Sequence, residues 1–153
     1  MSELRVEPAT LDDLAELADL LHDLFSQEED FTPDRQKQLH GLRLILEQPS
    51  RGRIFVLRNS HKIVGMINLL ITLSTAEGGF VLLLEDLIIH RDHRGQGYGS
   101  RLLQHAVEFA RSKKFRRITL LTDRPSESRR FYLKHGFVES GMVPMRLVLQ
   151  ENV

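Results

Sequence analysis

The segment that decides the fold is Val81-Leu82-Leu83-Leu84-Glu85-Asp86-Leu87-Ile88-Ile89, running through a short connection into Arg94-Gly95-Gln96-Gly97-Tyr98-Gly99-Ser100. The first part is an apolar run of strand length. The residues after the second part carry Leu102, Leu103, Ala106, Phe109 and Ala110 at the i, i+3, i+4, i+7 spacing of one buried helix face. A strand, a glycine-rich turn and a helix N-terminus make an anion site, because the first helical N–H groups lack intrahelical acceptors and the helix dipole adds positive charge there. Glycines let the backbone approach a phosphate with no Cβ in the way, and Arg94 adds a planar cation suited to phosphate oxygens. Two readings stand side by side: a pyrophosphate cradle, or a turn whose glycines serve backbone geometry alone.

A dinucleotide site would need Gly-x-Gly-x-x-Gly or Ala. Counting from Gly95, the sixth position is Ser100, a near miss, and Asp123 stands about where a ribose-binding acid belongs. The upstream sequence argues against that fold. Strand-like runs follow one another at residues 53–58, 63–73 and 80–89, joined by turn residues at 59–62 and 74–79 with no space for a helix. That order is an antiparallel meander feeding one βαβ unit.

The remaining elements follow from spacing and punctuation. A short strand is expected at 4–8. Thr10 and Asp13 form a capping box for a helix with Leu14, Leu17, Ala18, Leu21 and Phe25 on one face. Thr32 caps a second helix that Pro33 begins, with Leu39, Leu42 and Leu46 facing inward. After the glycine-motif helix come a strand at 118–121, a loop at 122–125, a helix ending near Gly136, and strands around 137–140 and 145–149.

At 153 residues the chain is expected to be one domain, long enough to bury a core without staples. Its 21 basic and 21 acidic residues cancel, so no overall field recommends nucleic acid or an anionic membrane. The absence of cysteine excludes disulfides, thiolate metal sites and an acyl-cysteine intermediate, and suits a reducing cytoplasm. Glu3, Glu7, Asp12 and Asp13 argue against a signal peptide, and Asn68 and Glu85 interrupt the longest apolar runs well short of a membrane span.

Arg94, Gly97 and Gly99 match the pattern Arg/Gln-x-x-Gly-x-Gly/Ala after a hydrophobic strand, and Phe131-Tyr132-Leu133-Lys134-His135-Gly136-Phe137 matches Phe-Tyr-x-Lys-x-Gly-Phe about forty residues later. On these two motifs, in this order, the chain resembles the GNAT superfamily of N-acetyltransferases from about residue 5 to 149. The run from Glu85 to Ile89 followed by Arg94 is also locally similar to spermidine/spermine N-acetyltransferases. The resemblance implies an α/β (α+β) fold: a mixed, mostly antiparallel central sheet of about seven strands flanked by about four helices. It implies a single acetyltransferase domain over residues 1–153, in the order β-α-α-β-β-β-α-β-α-β-β.

The resemblance also assigns roles. Acetyl-CoA would be the co-substrate, with no metal. Its pyrophosphate would lie on Arg94, Gly95, Gln96, Gly97, Tyr98, Gly99 and Ser100, and its pantetheine along Leu87, Ile88 and Ile89, with the Leu87 N–H polarising the thioester carbonyl. The alternative for those three side chains is plain core, and both can hold at once. Tyr132 becomes the donor to the leaving thiolate; its reference pKa of ~10 against ~8.5 for a thiol favours hydrogen bonding over full proton transfer. Without the motif, Tyr132 would read as packing beside Phe131. The position seven before the tyrosine, often asparagine in the superfamily, is Pro125, which has no amide to offer, so its cofactor contact falls to Ser126 or Ser128 or is lost. Glu28-Glu29-Asp30 stands where the superfamily's loop overhangs the acceptor, and an acidic cluster there would recruit a cationic amine; otherwise it is a charged loop. Homodimers are common in the superfamily.

A primary amine with a pKa near ~10.4 is protonated at neutral pH, so a base is needed. Glu85 is the candidate, on a strand face shared with Leu83 and Leu87; the alternative is an ion pair with Arg53, Lys62 or another strand neighbour. Asp86 faces the other way and reads as structural or as a hydrogen-bond anchor. His90-x-x-His93 has metal-like spacing, but no third ligand is specified nearby, so a solvated loop is the stronger reading. The function expected is acetyl-CoA-dependent N-acetylation of a primary amine of a small cationic molecule, by direct attack in a ternary complex. The alternatives are acetylation of a protein N-terminus or lysine, and a non-catalytic CoA-binding sensor, which would have no use for Tyr132 or Glu85.

Overall fold

A computed structural model of the chain describes residues 3–25, 34–123 and 126–150. They fall into two compact units, Met1–Leu121 and Thr122–Val153. The first holds one five-stranded sheet of spatial order β1-β2-β3-β4-β5: β1 (Leu4–Pro8), β2 (Gly52–Asn59), β3 (Lys62–Ser74), β4 (Gly79–Ile89) and β5 (Ile118–Leu120). Tight turns join β2, β3 and β4, so these neighbours run antiparallel, as do β1 and β2; β5 lies parallel to β4. A parallel pair needs a crossover, supplied by the helix α3 (Tyr98–Ser112).

Side chains leave the sheet toward helices on both faces. Leu14, Leu17, Ala18, Leu20 and Leu21 of α1 (Leu14–Phe25) and Leu42 of α2 (Arg35–Leu46) form one core with Ile54, Val56, Ile63, Met66 and Ile88 of the strands. The Phe25 side chain lies outside the described residues. On the other face, α3 buries Leu102, Leu103, Ala106 and Ala110. Each fully buried leucine contributes about 1.5–3 kcal/mol of transfer free energy. Phe55 meets both His105 and Phe109 of α3 edge-on. At Gly65 the approach is so close that a Cβ would stand 2.6 Å from Ile89 Cδ1 and 3.1 Å from Leu102 Cδ1.

The Thr10 cap is present: the Thr10 N–H donates to Asp13 Oδ2 at 2.9 Å, opening a 3-10 turn that leads into α1. Asp13 has a second task that the sequence does not announce. Arg58 of β2 donates to Asp13 Oδ2 at 2.7 Å and through Nε to a carboxylate oxygen of Glu7. The turn before α1 is thereby tied to β1 and β2. The α2 start differs from expectation: Arg35 is its first helical residue, and the cap is Asp34, whose carboxylate accepts from Lys37 N at 3.2 Å. Asp34 takes the extended conformation a cap requires (φ −137°). Thr32 and Pro33 lie outside the described residues.

The second unit is built on α4 (Glu127–Lys134). Its fold departs from expectation beyond the helix: residues 137–150 form no strand, so among the described residues the sheet has five strands rather than about seven. Alternation at Met145, Leu147 and Leu149 marks a strand only when neighbouring backbone completes a ladder. No described strand pairs with this segment, and Met145 and Leu149 stand 94% and 87% exposed. Among the described residues no helix is long and apolar enough to cross a membrane.

Candidate active site

β4 is paired along its whole length with β3, but with β5 only at Leu82, Leu83 and Leu84. From residue 85 to 89 its other edge has no ladder partner among the described residues. Five residues of strand present roughly 16 Å of backbone with outward N–H and C=O groups. Such an edge invites an extended ligand bearing amides. Leu87, Ile88 and Ile89 fall on it, and the side chain of Ile88 is buried in the α1–α2 layer at the same time. Core packing and an open backbone edge therefore coexist.

The edge opens where the β3–β4 ladder slips. Asn68 pairs with Asp86 and Leu69 with Leu84, leaving Glu85 as the extra residue of a bulge. This corrects the expected face of Glu85. Leu83 lies opposite Leu70 and Leu87 opposite Ile67, so four steps along β4 match three along β3 and the two leucines point to opposite faces. Glu85 is exposed, and among the described residues it makes no ion pair with Arg53 or Lys62. Asp86 is half-buried and accepts from Asn68 Nδ2 at 2.9 Å across the strands. The sequence signal for that pair is a lone amide in an apolar strand.

The glycine motif follows directly. Arg91, Asp92 and His93 make a 3-10 turn capped by His90 Nδ1, which accepts from Asp92 N at 3.2 Å. The His90 and His93 rings pack edge-to-face at 5.6 Å. Arg94 Nε then donates to the carbonyl of Ile89 at 3.1 Å. Gly95 and Gly97 adopt φ of 78° and 79°, the left-handed region that glycine enters without penalty. Gly97 is the N-cap of α3, with no side-chain cap; the helical ladder begins with Arg101 N donating to Gly97 O. The N–H groups of Tyr98, Gly99 and Ser100 therefore have no intrahelical acceptors and favour an anion. A Cβ placed at Gly95 or Gly97 would meet nothing within 4 Å. The glycines are needed for φ and for open approach, not for packing.

In the second unit, Tyr132 lies on α4, with its ring against Phe131 at 5.2 Å and Phe137 at 5.4 Å. The rest of its motif is a helix stop. Gly136 has φ of 92°, Gly136 N donates to Leu133 O, and Phe137 N donates back to Tyr132 O at 3.1 Å. This paired closure is a Schellman motif, which fixes the last turn and seats Phe137 on Tyr132. Ser126 is the N-cap: its Oγ accepts from Arg129 N and donates to Asp123 O, both at 3.0 Å. That hydroxyl is committed to the helix start, while Ser128 is exposed in the first turn. Pro125, Glu28, Glu29 and Asp30 lie outside the described residues.

A cavity of about 610 Å³ opens beside α1, the start of β3 and His90. Its acids are already engaged: Asp19 with Arg35, Asp23 with Arg91, and the Glu16 carboxylate with the Ile63 N–H. No group of three or more His, Cys, Asp or Glu side chains among the described residues is placed to hold a metal.

The sequence profile of the acetyltransferase (GNAT) family matches residues 14–137. An aminoalkylphosphonate N-acetyltransferase of Salmonella typhimurium is 29% identical over 133 residues, covering 86% of this chain and 83% of that protein. A possible acetyltransferase from Clostridium difficile 630 shares the fold at a TM-score of 0.88 and 16% identity, covering 97% of this chain and 99% of that one. An aminoglycoside acetyltransferase from an uncultured soil metagenomic sample, solved with sisomicin, does so at a TM-score of 0.76 and 20% identity, covering 96% and 97%.

Proposed function

The chain belongs to the acetyltransferase (GNAT) family and is an acyltransferase, and from that premise we propose that it moves the acetyl group of acetyl-CoA onto a primary amine of a small cationic molecule. The observation that carries this reading is the β4 edge at residues 85–89, which has no ladder partner among the described residues and runs on into the glycine loop and the N-terminus of α3. The pantetheine amides take the place of a missing strand there, and the pyrophosphate lies on the loop. The residues fit the group, since the two left-handed glycines leave that approach clear.

In this reading the amine nitrogen attacks the acetyl carbon, a C–N bond forms and the C–S bond breaks. The Leu87 N–H stabilises the oxyanion, Glu85 takes the amine proton directly or through water, and Tyr132 donates to the departing thiolate. Ser128 assists the cofactor, while Ser126 holds α4. Glu28, Glu29 and Asp30 attract the cation. The Salmonella relative acts on aminoalkylphosphonates and the soil protein on aminoglycosides, which supports a small amine as acceptor. The reading extends to one catalytic domain over residues 1–153, in a cytoplasmic homodimer, which light scattering tests.

Release of CoA thiol is the deciding assay, across aminoalkylphosphonates, polyamines, aminoglycosides, amino acids and lysine peptides. Turnover of a small amine is expected. Turnover of peptides alone moves the acceptor to protein, and tight acetyl-CoA binding without any turnover leaves a sensor.

A further inference from the structure

The start of β4, remote from the glycine loop, lies beside a surface with a charge of its own. Residues 111–117 include Arg111, Lys113, Lys114, Arg116 and Arg117 and no acid, although the whole chain balances 21 basic against 21 acidic residues. All five cations are exposed. Among the described residues only Arg117 of the five makes an ion pair, with Glu77 at 3.5 Å. The dipole of α3 favours cations in its last turn, but its effect does not reach far beyond that turn. Arg116 and Arg117 stand on the segment that follows, fastened to the start of β4: Arg116 N donates to Phe80 O at 2.9 Å and Leu82 N donates to Arg117 O at 3.0 Å. Lys114 is held in a conformation lysine disfavours. Lys114 N donates to Arg111 O and Phe115 N to Ala110 O, the paired closure of a Schellman motif, which sets Lys114 at φ of 63°. Glycine enters that region freely and lysine does not. The helix stop gives up backbone ease at the position where it displays a cation.

These cations adjoin an apolar spot. Leu73 and Phe80 stand opposite each other across β3 and β4 and are 69% and 55% exposed. The Phe80 ring meets Phe115 edge-on at 6.4 Å, and the Arg116 side chain runs beside Gly79. Exposed apolar side chains next to unpaired cations complement a chain that alternates acidic and aliphatic residues. A lipid surface fits less well, because the turn beyond Leu73 and Phe80 consists of Thr75, Ala76, Glu77 and Gly78, with no large apolar residue and one acid. Single-stranded nucleic acid needs successive aromatic platforms, whereas the exposed Phe80 has an aliphatic neighbour. We propose that this surface docks an acidic, leucine-bearing segment of a partner protein. Its carboxylates pair with Lys113, Lys114 and Arg116, and its aliphatic side chains cover Leu73 and Phe80. The five residue steps from Phe80 to Glu85 span roughly 16 Å of strand, so a docked segment leaves the open β4 edge clear. The inference stands apart from the acetyltransferase reading.

Fluorescence anisotropy of the full chain tests this with labelled probes: a peptide alternating glutamate and leucine, the same peptide with glutamine for glutamate, and oligouridylate. Co-sedimentation with phosphatidylserine vesicles supplies the membrane arm. The glutamate peptide is expected to bind at least about tenfold more tightly than either soluble control, and more weakly as salt screens charges beyond ~8–10 Å. Lys113→Glu combined with Arg116→Glu should lower its affinity at least about tenfold, because like charges then face each other. Phe80→Ser should lower it about fivefold through lost apolar burial. Lys114→Gly is the most telling variant. It relieves the left-handed backbone, so the melting temperature should hold or rise while peptide affinity falls about threefold. Unchanged affinity in Lys114→Gly, equal binding of the glutamine peptide, or preference for oligouridylate or vesicles overturns the proposal. So does a dimer that dissolves on charge reversal while the peptide goes unbound. If the double charge reversal fails to fold, Lys114→Gly decides by its peptide affinity.

Discussion

Arg94 reaches back to Ile89: its Nε donates to the Ile89 carbonyl at 3.1 Å. The cation that opens the glycine loop is thus anchored to the last residue of the strand whose edge is open, and loop and edge hold one orientation relative to each other. Arg94 is otherwise exposed, which leaves the rest of its guanidinium open to a phosphate.

Replacing that side chain tests both tasks. Arg94→Ala should raise the acetyl-CoA KM about tenfold, near the value of one charge-assisted contact. Arg94→Lys should recover only part, because an ammonium cannot hold Ile89 O and present a planar fork together. Amine KM should stay at the wild-type value in both.

Gly97→Ala places a Cβ in open space but at φ of 79°. A modest loss of about 1–2 kcal/mol in stability is expected from the left-handed backbone. If the loop holds the pyrophosphate as proposed, acetyl-CoA affinity, read by calorimetry, should fall by at least about tenfold, since the added methyl group would narrow the open approach to the loop. A melting temperature that falls with affinity intact would reduce the glycine to a turn residue.

Tyr132→Phe removes one hydroxyl and keeps the ring contacts with Phe131 and Phe137. Turnover should drop roughly 10²-fold with folding and acetyl-CoA affinity unchanged. Gly136→Ala makes the informative contrast. It strains the helix stop at φ of 92° without touching the hydroxyl, so it should lower stability more than it lowers turnover.

Glu85→Gln keeps shape and removes charge. If Glu85 takes the amine proton, activity at neutral pH should fall at least about tenfold and recover partly under alkaline conditions, where free amine is already present. A pH profile parallel to the wild type would move the base elsewhere.

The ion cluster at the start of the chain makes a prediction about acid. The Glu7 carboxyl is held below its ordinary value of 4.5, chiefly by its hydrogen bond from Arg58, with Arg5 adding to it. The unfolded chain therefore binds this proton first as pH falls, and the stabilisation is lost between the ordinary value and the lowered native one. Glu7→Gln should be less stable than wild type from neutrality down to about pH 5, and the gap should close below that. Chemical denaturation at stepped pH measures it.

Much of the fold is legible from residue order. The meander, the crossover helix and the glycine loop follow from period and punctuation, with Asn59-Ser60 and Gly78-Gly79 marking the two hairpins. The bulge is not legible. Nothing in Leu84-Glu85-Asp86 says which residue is the extra one, since that depends on how β3 aligns across the ladder. The cap of α2 stands two residues later than Thr32 because Thr32, Pro33 and Asp34 all carry start signals, and only the backbone at Asp34 decides among them. The strands at 137–140 and 145–149 do not form for a different reason: pattern describes a willing strand, while a ladder needs a second backbone.

The bulge also makes β4 a chain with two phases. Residues before Glu85 count alternation one way and those after it count the other. Were Glu85 drawn into the ladder opposite Asn68, the bulge would vanish, Leu87 and Ile89 would turn over to the α1–α2 layer, and Ile88 would go toward α3. One residue of length, rather than any side chain, thus keeps the floor of the site and the core beneath it on their proper sides.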